Sequence, residues 1–200
     1  SSFSLSEDTT KEEMLNHIQF PADFIAEGVD QTRGWFYTLM VLSVALYHQS
    51  PFKNVIVNGI ILAEDGQKMS KRLKNYTDPQ DIMDKYGVDA LRYYMMCGQA
   101  VRGEPMNFSE KGVDEVYKKV ILISLNVLSF WRTYRDKLKS QDLNVTGVIQ
   151  NEKELPALDR WILARLRQVT VEMTHSLDSY SIDKACRPLA PFIDDLSTWY

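Results

Sequence analysis

The pattern of apolar and polar positions divides the chain into a first part with strands and helices and a second part with helices alone. Residues 54–62 read NVIVNGIIL, a β-branched and almost continuously apolar run that predicts a strand buried on both faces. The apolar run at residues 35–47 predicts a buried helix that ends before Pro51. A short apolar stretch at residues 24–26 precedes this helix. Strand, helix and strand in this order indicate a parallel α/β sheet.

Local signals predict where the next two helices begin and end. Asp78 followed by Pro79 predicts a helix start, because aspartate is a favourable N-cap and proline is tolerated in the first turn. Gly87 predicts the end of that helix, and the segment VDALRYYMMC opens the following one.

Strand signals vanish after Gly103. Residues 110–139 and 155–200 show helical spacing with long apolar stripes, and the polar, turn-rich segment between them predicts a loop. We therefore predict an α/β part over residues 1–105 and an all-α part over residues 106–200.

Composition and charge narrow the class of protein. The chain has 200 residues, of which 44% are hydrophobic, so it can bury a core. Its net charge of -4 argues against a protein that binds nucleic acid over its whole surface, and any contact with a polyanion must be local. No secretory signal is visible, and the longest apolar run is shorter than the roughly 20 residues of a membrane helix. We expect no association with a membrane.

Cysteine and histidine positions predict no metal site. Cys97 and Cys186 are distant in the sequence and lack CxxC spacing. A disulfide between them is left open, and two free thiols in a reducing compartment are the simpler interpretation. The histidines are scattered and form no catalytic constellation.

A basic loop follows the predicted strand. Residues 64–75 read EDGQKMSKRLKN, with four basic side chains within seven positions. The Asp-Gly turn places this loop at the carboxyl end of the strand, where open α/β sheets bind ligands. Lys68 and Lys71, with Ser70 between them, can present two ammonium groups and a hydroxyl to one anionic centre. The alternative is a solvated basic loop, and the strand and turn favour a polyphosphate site.

KMSKR in this position resembles the KMSKS loop of class I aminoacyl-tRNA synthetases. The segment LKNYTDPQDIMDKYGVDALRYYM resembles the continuation of that loop, and PADFIAEGVDQTRGWFYTL is similar to the EGxDQxRGWF stretch of the isoleucyl type. Valyl and leucyl types carry different residues in this stretch. The fifth motif position holds Arg72 instead of serine, which leaves the role of the second hydroxyl unfilled. The resemblance runs from about Phe20 to the last residue.

The resemblance implies site residues of three kinds. Catalytic roles fall to Lys68 and Lys71. The residues implied in ATP binding are Gly59, Lys68, Met69, Ser70 and Lys71. The residues implied in aminoacyl-adenylate binding are Glu27, Gly28, Asp30, Gln31 and Trp35. The basic residues implied in tRNA contacts are Lys118, Lys119, Arg132 and Arg135.

Alternative interpretations of two of these groups stay open. The acids near Glu27 also suit a helix N-terminus, where they would complement the helix dipole. Gly28 instead supports the binding role, because a glycine permits close approach of a ligand to the backbone. Gly59 could equally be a bulge in its strand.

The resemblance also implies the fold and the reaction. The fold would be the second half of a class I Rossmann-like nucleotide-binding fold, followed by an all-α helical bundle that begins the anticodon-binding domain. The enzyme would be an isoleucine–tRNA ligase that activates isoleucine with ATP to isoleucyl-adenylate and transfers it to tRNA(Ile). Mg²⁺ is expected with the ATP, and no metal is expected on the chain itself. A monomer in the cytoplasm is expected.

The chain lacks sequences that a complete enzyme of this type needs. No HIGH-type motif, no editing domain and no further anticodon-binding bundle is found in its 200 residues. We therefore expect a piece of a larger enzyme, inactive by itself. Two alternatives remain: a non-catalytic nucleotide- or RNA-binding module that retains half of a synthetase fold, and a valyl- or leucyl-type relative.

Overall fold

The computed structural model of the chain describes residues 20–70, 72, 73, 75–140 and 152–200. These residues form two compact units. The first unit contains the described residues up to Ile60 together with Arg102–Glu104. The second unit contains Ile61–Val101 and Pro105–Tyr200.

The first unit is built around two parallel strands. Strand β1 covers Ala22–Gly28 and strand β2 covers Phe52–Asn58, with their last residues opposite each other. A 3₁₀ turn at Val29–Arg33 and helix α1 at Trp35–Tyr47 connect them. The predicted strand, helix and strand are therefore present, and their parallel pairing follows from the helical crossover.

Helix α1 lies where the sequence predicts it, but the expectation that it is buried is wrong. Phe36 and Ser43 are its buried residues, whereas Tyr37 is 63% exposed. Phe36 packs with Ile25 and Phe52 in a core between the helix and the strands. Because apolar residues surround this helix on every side, a two-stranded sheet can cover only one of its faces.

The predicted strand at residues 54–62 is also corrected. It is not one strand buried on both faces: the first half of β2 is largely exposed, and β2 ends at Asn58. Ile61–Leu62 then forms strand β3, which pairs in parallel with strand β4 at Met106–Asn107. Among the described residues β2 pairs with β1 alone, so its other edge has no strand beside it. Strand β4 lies in the part for which helices alone are predicted.

The second unit continues with two helices whose ends follow the predicted local chemistry. Helix α2 covers Pro79–Tyr86 and helix α3 covers Val88–Cys97. The Asp78 carboxylate accepts a hydrogen bond from the backbone N–H of Gln80 at 2.9 Å, as an N-cap does. Gly87 separates the helices with a φ of 84°, a value that favours glycine.

A long helical segment then follows strand β4. Helix α4 covers Glu110–Val116 and passes through a π-helical stretch at Tyr117–Leu122 into helix α5 at Ile123–Ser140. The core beside it consists of buried side chains from α2, α3 and α4, namely Ile82, Tyr86, Ala90 and Val113. This core holds the helices against one another next to the base of the basic loop.

The last part of the chain is helical throughout. A 3₁₀ turn at Glu152–Glu154 precedes helix α6 at Ala157–Asp178, helix α7 at Ile182–Cys186 and helix α8 at Leu189–Thr198. Every residue from 152 to 200 is described, and none lies in a strand. Tyr180 adopts a left-handed φ of 55° between α6 and α7, which breaks the predicted long helix.

Small parallel sheets and many helices thus give a partial α/β fold with further helices, which is the coarse form of the predicted class. Within the described ranges, no helix is both long and apolar enough to cross a membrane.

Candidate functional site

The carboxyl ends of β1 and β2 form one edge of the first unit, which we call the strand edge. Glu27 lies opposite Val57 and Gly28 lies opposite Asn58. Gly59 follows β2 directly, and the 3₁₀ turn follows β1 directly. Parallel strands therefore bring all the predicted adenylate-binding residues and Gly59 toward the same edge, where open α/β sheets bind ligands.

The side chains after β1 are arranged by two glycines. Gln31 accepts a hydrogen bond from the Trp35 backbone N–H at 2.9 Å through its Oε1 atom, and its amide donates to Asp30 Oδ2 at 3.1 Å. A Cβ atom at Gly28 would lie 2.6 Å from Asp30 Oδ1, and one at Gly34 would lie 2.8 Å from Gln31 Oε1. The glycines thus make room for these side chains to fold over the backbone, and Gln31 satisfies a free N–H at the start of α1.

The strand edge presents acceptors to solvent. The side chains of Glu27 and Asp30 are exposed, and Trp35 is 46% exposed. Two carboxylates and an aromatic face can bind an ammonium group or the hydroxyls of a sugar. The predicted role of these residues in adenylate binding stays a prediction.

Gly59 has a structural reason to be glycine. A Cβ atom at this position would collide with the carbonyl group of Glu104 and would lie 2.8 Å from its backbone nitrogen. The close approach inferred from the sequence is therefore an approach of the chain to itself. A contact with ATP at this position stays a prediction.

The basic loop begins with a tight turn after β3. The Ala63 backbone N–H donates to the Gln67 carbonyl at 2.8 Å, and the Asp65 carboxylate accepts from the Gln67 N–H at 2.9 Å. Gly66 has a φ of 79° at the tip of this turn. The Asp-Gly pair thus forms the turn that the sequence indicates, because glycine adopts this φ at little cost.

Asn75 holds the middle of the basic loop in place. Its Nδ2 atom donates to the Lys68 carbonyl at 3.2 Å, and its Oδ1 atom accepts from the Ser70 N–H at 3.0 Å. The Ser70 hydroxyl in turn accepts from the Arg72 N–H at 3.2 Å. Sequence reasoning did not single out Asn75, although asparagine in a loop commonly bonds to nearby backbone groups.

The structure describes all but one of the predicted phosphate-binding residues in the basic loop. Lys68 is exposed, Met69 and Ser70 are partly buried, and Lys71 lies outside the described residues. The strand edge belongs to the first unit and the basic loop to the second.

Both ends of the segment that carries the basic loop are attached to the start of α4. The Ser109 hydroxyl donates to Glu64 Oε1 at 3.2 Å, and the Thr77 hydroxyl donates to Glu110 Oε2 at 3.4 Å. Ser109 is also the N-cap of α4, so the loop is fixed to a helix terminus that is itself capped.

Glu110 is the centre of a polar group that we call the Glu110 cluster, with Thr77, Lys85 and Tyr86. Lys85 donates to Glu110 Oε1 at 2.8 Å and Tyr86 donates to the same oxygen at 3.1 Å. Both bonds hold the pKa of Glu110 below its usual range, and the bond from Lys85 has the larger effect. The bond to Glu110 raises the pKa of Lys85 in turn.

The lysines predicted to contact tRNA are paired within their own helix. Lys118 Nζ lies 2.6 Å from Asp114, and Lys119 Nζ lies 3.4 Å from Glu115, in each case one helical turn away. The pairing raises the pKa of Lys118. Such exposed pairs are weak and leave the lysines able to meet a phosphate. Arg132 is exposed on the following helix.

Arg135 lies over an aromatic surface on α5. Its guanidinium carbon is 4.6 Å from the centroid of the Trp131 ring, a cation–π contact. Both side chains line an apolar groove of about 920 Å³ that α5 and α8 form together. The tRNA contacts of these basic residues stay predictions.

Comparison with protein families and curated sequences identifies relatives. The family model described as tRNA synthetases class I (I, L, M and V) matches residues 2–109. Isoleucine–tRNA ligases of Chlamydia abortus and Chlamydia caviae are 54% and 51% identical to the chain over 181 residues. That of Chlamydia trachomatis is 52% identical over the same length. Each match covers 90% of this chain but 17% of the relative, so the chain spans about a sixth of the length of these proteins.

Solved structures include a similar fold. The LeuRS–tRNA–LeuAMS ternary complex of Agrobacterium radiobacter matches 88% of this chain and 22% of its own chain, with a TM-score of 0.63 and 21% sequence identity. At this identity the likeness supports the fold alone.

Proposed function

The chain belongs to the class I tRNA synthetases (I, L, M and V), and we therefore propose that it is part of an isoleucine–tRNA ligase. This enzyme would activate isoleucine with ATP to isoleucyl-adenylate and transfer the isoleucyl group to tRNA(Ile). The choice of isoleucine, rather than valine or leucine, rests on the 51–54% identity to isoleucine–tRNA ligases. We expect the enzyme to be a cytoplasmic monomer.

The fold supports different roles for the part of the chain up to about residue 105 and for the helices after it. We assign residues up to about 105 to the second half of a Rossmann-like catalytic domain, since they hold parallel strands with a helical crossover. We assign the helices after residue 105 to a linker and the start of the anticodon-binding domain. Its basic residues, including Arg132, would contact tRNA phosphates.

One observation carries the proposed chemistry: Lys68 is exposed on a backbone that Asn75 holds in place. Lys68, and Lys71 with it, would bind the phosphates of ATP while the isoleucine carboxylate attacks the α-phosphorus. Negative charge grows on the phosphates as pyrophosphate departs. Ammonium groups that meet this charge in the transition state lower the barrier without forming any covalent bond.

The strand edge would bind the other end of the reactants. The Glu27 carboxylate is suited to the α-ammonium group of isoleucine, which is charged before the reaction begins. Asp30 and Gln31 offer acceptors and an amide for the ribose hydroxyls, and Trp35 would lie beside the pocket. Mg²⁺ is expected on the ATP phosphates, where it would neutralise part of their charge.

Pre-steady-state adenylate formation in the full-length enzyme tests this assignment. Lys68→Ala and Lys71→Ala should each slow the step by about a hundredfold and leave isoleucine binding nearly unchanged, because each removes a contact made in the transition state. Glu27→Ala should instead weaken isoleucine binding. Lys184→Ala, which removes an exposed lysine on α7, is the matched control and should change neither quantity.

Two results would contradict the proposal. If Lys68→Ala raised the isoleucine dissociation constant and left the rate of adenylate formation intact, the basic loop would not act on phosphate. If the full-length protein formed no adenylate at all with isoleucine, valine or leucine, the non-catalytic binding module would be the better description.

A further inference from the structure

Two cysteines that are distant in the sequence meet inside the second unit. Cys97 is the last residue of α3 and Cys186 is the last residue of α7, and both are free thiols. The Cys97 thiol lies close enough to the Cys186 thiol and the Tyr93 hydroxyl for both to affect its pKa. Tyr93 also donates to the Cys186 carbonyl oxygen at 2.9 Å, which ties the two helix ends together.

We propose that Cys97 and Cys186 form a reversible intramolecular disulfide when the chain meets a peroxide, and that this disulfide links α3 to α7. The proposal is independent of the synthetase reaction, because it uses neither the strand edge nor the basic loop. The sequence alone leaves this pairing open, since nothing in the spacing of the two cysteines indicates that they lie close together.

The reaction balances as two thiols and one peroxide. The thiolate of the first cysteine attacks a peroxide oxygen and becomes a sulfenic acid, while the departing hydroxide takes up a proton to give water. The second thiolate attacks the sulfenic sulfur, forms the S–S bond and displaces hydroxide, which also becomes water. The two thiols together lose two protons and two electrons, and the peroxide is reduced.

Exposure decides which cysteine reacts first. Cys97 is partly exposed, whereas Cys186 is 7% exposed. A peroxide therefore reaches Cys97 first, and Cys186 acts as the resolving thiol. Because Tyr93 holds Cys186 beside the end of α3 that carries Cys97, the sulfenic acid is captured as a disulfide before a second peroxide oxidises it further.

The surroundings of the pair make the reaction slow at neutral pH. Burial raises the pKa of Cys97 to about 11, while the polar Tyr93 hydroxyl beside it acts in the opposite direction. Burial also raises the pKa of Cys186, and the charge of Asp183 raises it further, whereas Arg187, which is paired with Asp183, lowers the pKa of Cys97. The thiolate is the reactive form, so the rate of disulfide formation should rise about tenfold for each pH unit below the Cys97 pKa.

The disulfide should stabilise the second unit. It closes a loop of roughly 90 residues in the unfolded chain, which in the chain-entropy account raises the melting temperature by roughly 10 °C. The bond also fixes the end of α3, from which the chain continues toward β4, to the end of α7.

The test treats the 200-residue chain with hydrogen peroxide at pH 7 and pH 9. The intact mass should fall by about 2 Da, the two hydrogens lost on oxidation. A peptide map without reductant should contain Cys97 joined to Cys186, formed faster at pH 9. The melting temperature should rise and should return to its starting value with dithiothreitol. Cys97→Ala and Cys186→Ala are the matched controls, and neither should lose this mass or gain stability.

Three results would overturn the proposal. Sulfinic acid on Cys97 would show that Cys186 does not resolve the sulfenic acid. Dimers linked through Cys97 would show that another chain reaches it first. Two unreacted thiols, titrated after unfolding, would show that peroxide does not oxidise the pair. The peptide map of the unaltered chain decides among these results even if an alanine variant fails to fold.

Discussion

Glycine at position 59 is required by the backbone of Glu104, which occupies the space that a side chain would need. We predict that Gly59→Ala destabilises the chain by about 3 kcal/mol or more, because backbone atoms cannot move aside as a side chain tip can. Gly103→Ala is the matched control. Its Cβ would lie 3.5 Å from the Val57 carbonyl, an ordinary contact, so only its φ of 80° costs energy, about 1 kcal/mol.

Urea-unfolding curves followed by circular dichroism measure both variants of this pair. The unfolding midpoint of Gly59→Ala should lie clearly below that of Gly103→Ala. Equal midpoints would show that the contact with Glu104 does not explain the glycine, and a role in ligand approach would then be the stronger interpretation.

Asn75 supports the proposed catalytic lysine through the backbone. We predict that Asn75→Ala in the full-length enzyme slows adenylate formation about tenfold with little effect on isoleucine binding, because it removes hydrogen bonds to Lys68 and Ser70 worth about 1 kcal/mol each. Asn75→Asp keeps the acceptor for the Ser70 N–H but loses the donor to the Lys68 carbonyl. Its rate of adenylate formation should therefore lie between that of the unaltered enzyme and that of Asn75→Ala. An Asn75→Ala enzyme with unaltered rate would show that the loop holds its shape without this side chain.

At the scale of elements, the Glu110 cluster joins the end of the basic loop segment to α2 and α4. The lowered pKa of Glu110 means that its bonds stabilise the fold above the ordinary carboxyl pKa of about 4.3 and that this contribution is lost as the pH falls through the lower folded value. We predict that Glu110→Gln lowers the urea midpoint at pH 7 and that the difference from the unaltered chain shrinks as the pH falls below the ordinary carboxyl pKa.

Urea midpoints measured at several pH values, with and without the substitution, test the direction of this pH dependence. The matched control is Glu115→Gln, which alters an exposed carboxylate whose ion pair with Lys119 lies one helical turn away. A difference for Glu110→Gln that did not shrink at any acidic pH at which the chain stays folded would mean that the charge of Glu110 contributes nothing to stability.

The exposure of helix α1 also depends on how whole elements pack. Its residues are apolar on every side, which is typical of a helix covered all round. The first unit covers it on one side only, and the isoleucine–tRNA ligase of Chlamydia abortus is about five times as long as this chain. The apolar pattern is therefore a property of the helix, whereas its burial depends on what packs against it.

At the scale of the whole molecule, the expected activity of the chain depends on the HIGH-type motif, which its 200 residues do not contain. We predict that the 200-residue chain by itself catalyses no isoleucine-dependent ATP–pyrophosphate exchange. Its sequence contains no HIGH-type stretch, and the resemblance to class I synthetases implies that this motif positions the ATP together with the basic loop. The full-length enzyme under the same conditions is the positive control. Exchange by the short chain that disappeared with Lys68→Ala would contradict the prediction and would show that the basic loop suffices.

Sequence alone determined the features that rest on neighbouring residues. The start of α2 at Asp78 and Pro79, its end at Gly87 and the Asp-Gly turn of the basic loop are all present as predicted. Their chemistry is local, since a cap or a turn is a hydrogen bond between groups a few residues apart. The family was likewise readable from short motifs, and the match over residues 2–109 confirms it.

Only the tertiary structure decided the features that join distant residues. It ended β2 at Asn58, placed Glu104 against Gly59 and brought Cys97 to Cys186. Each of these depends on which surfaces pack together, and the free energy of packing comes from apolar area and close contacts that no short segment contains by itself. Local chemistry therefore predicts where an element begins and ends, and the packing of whole elements decides what each residue touches.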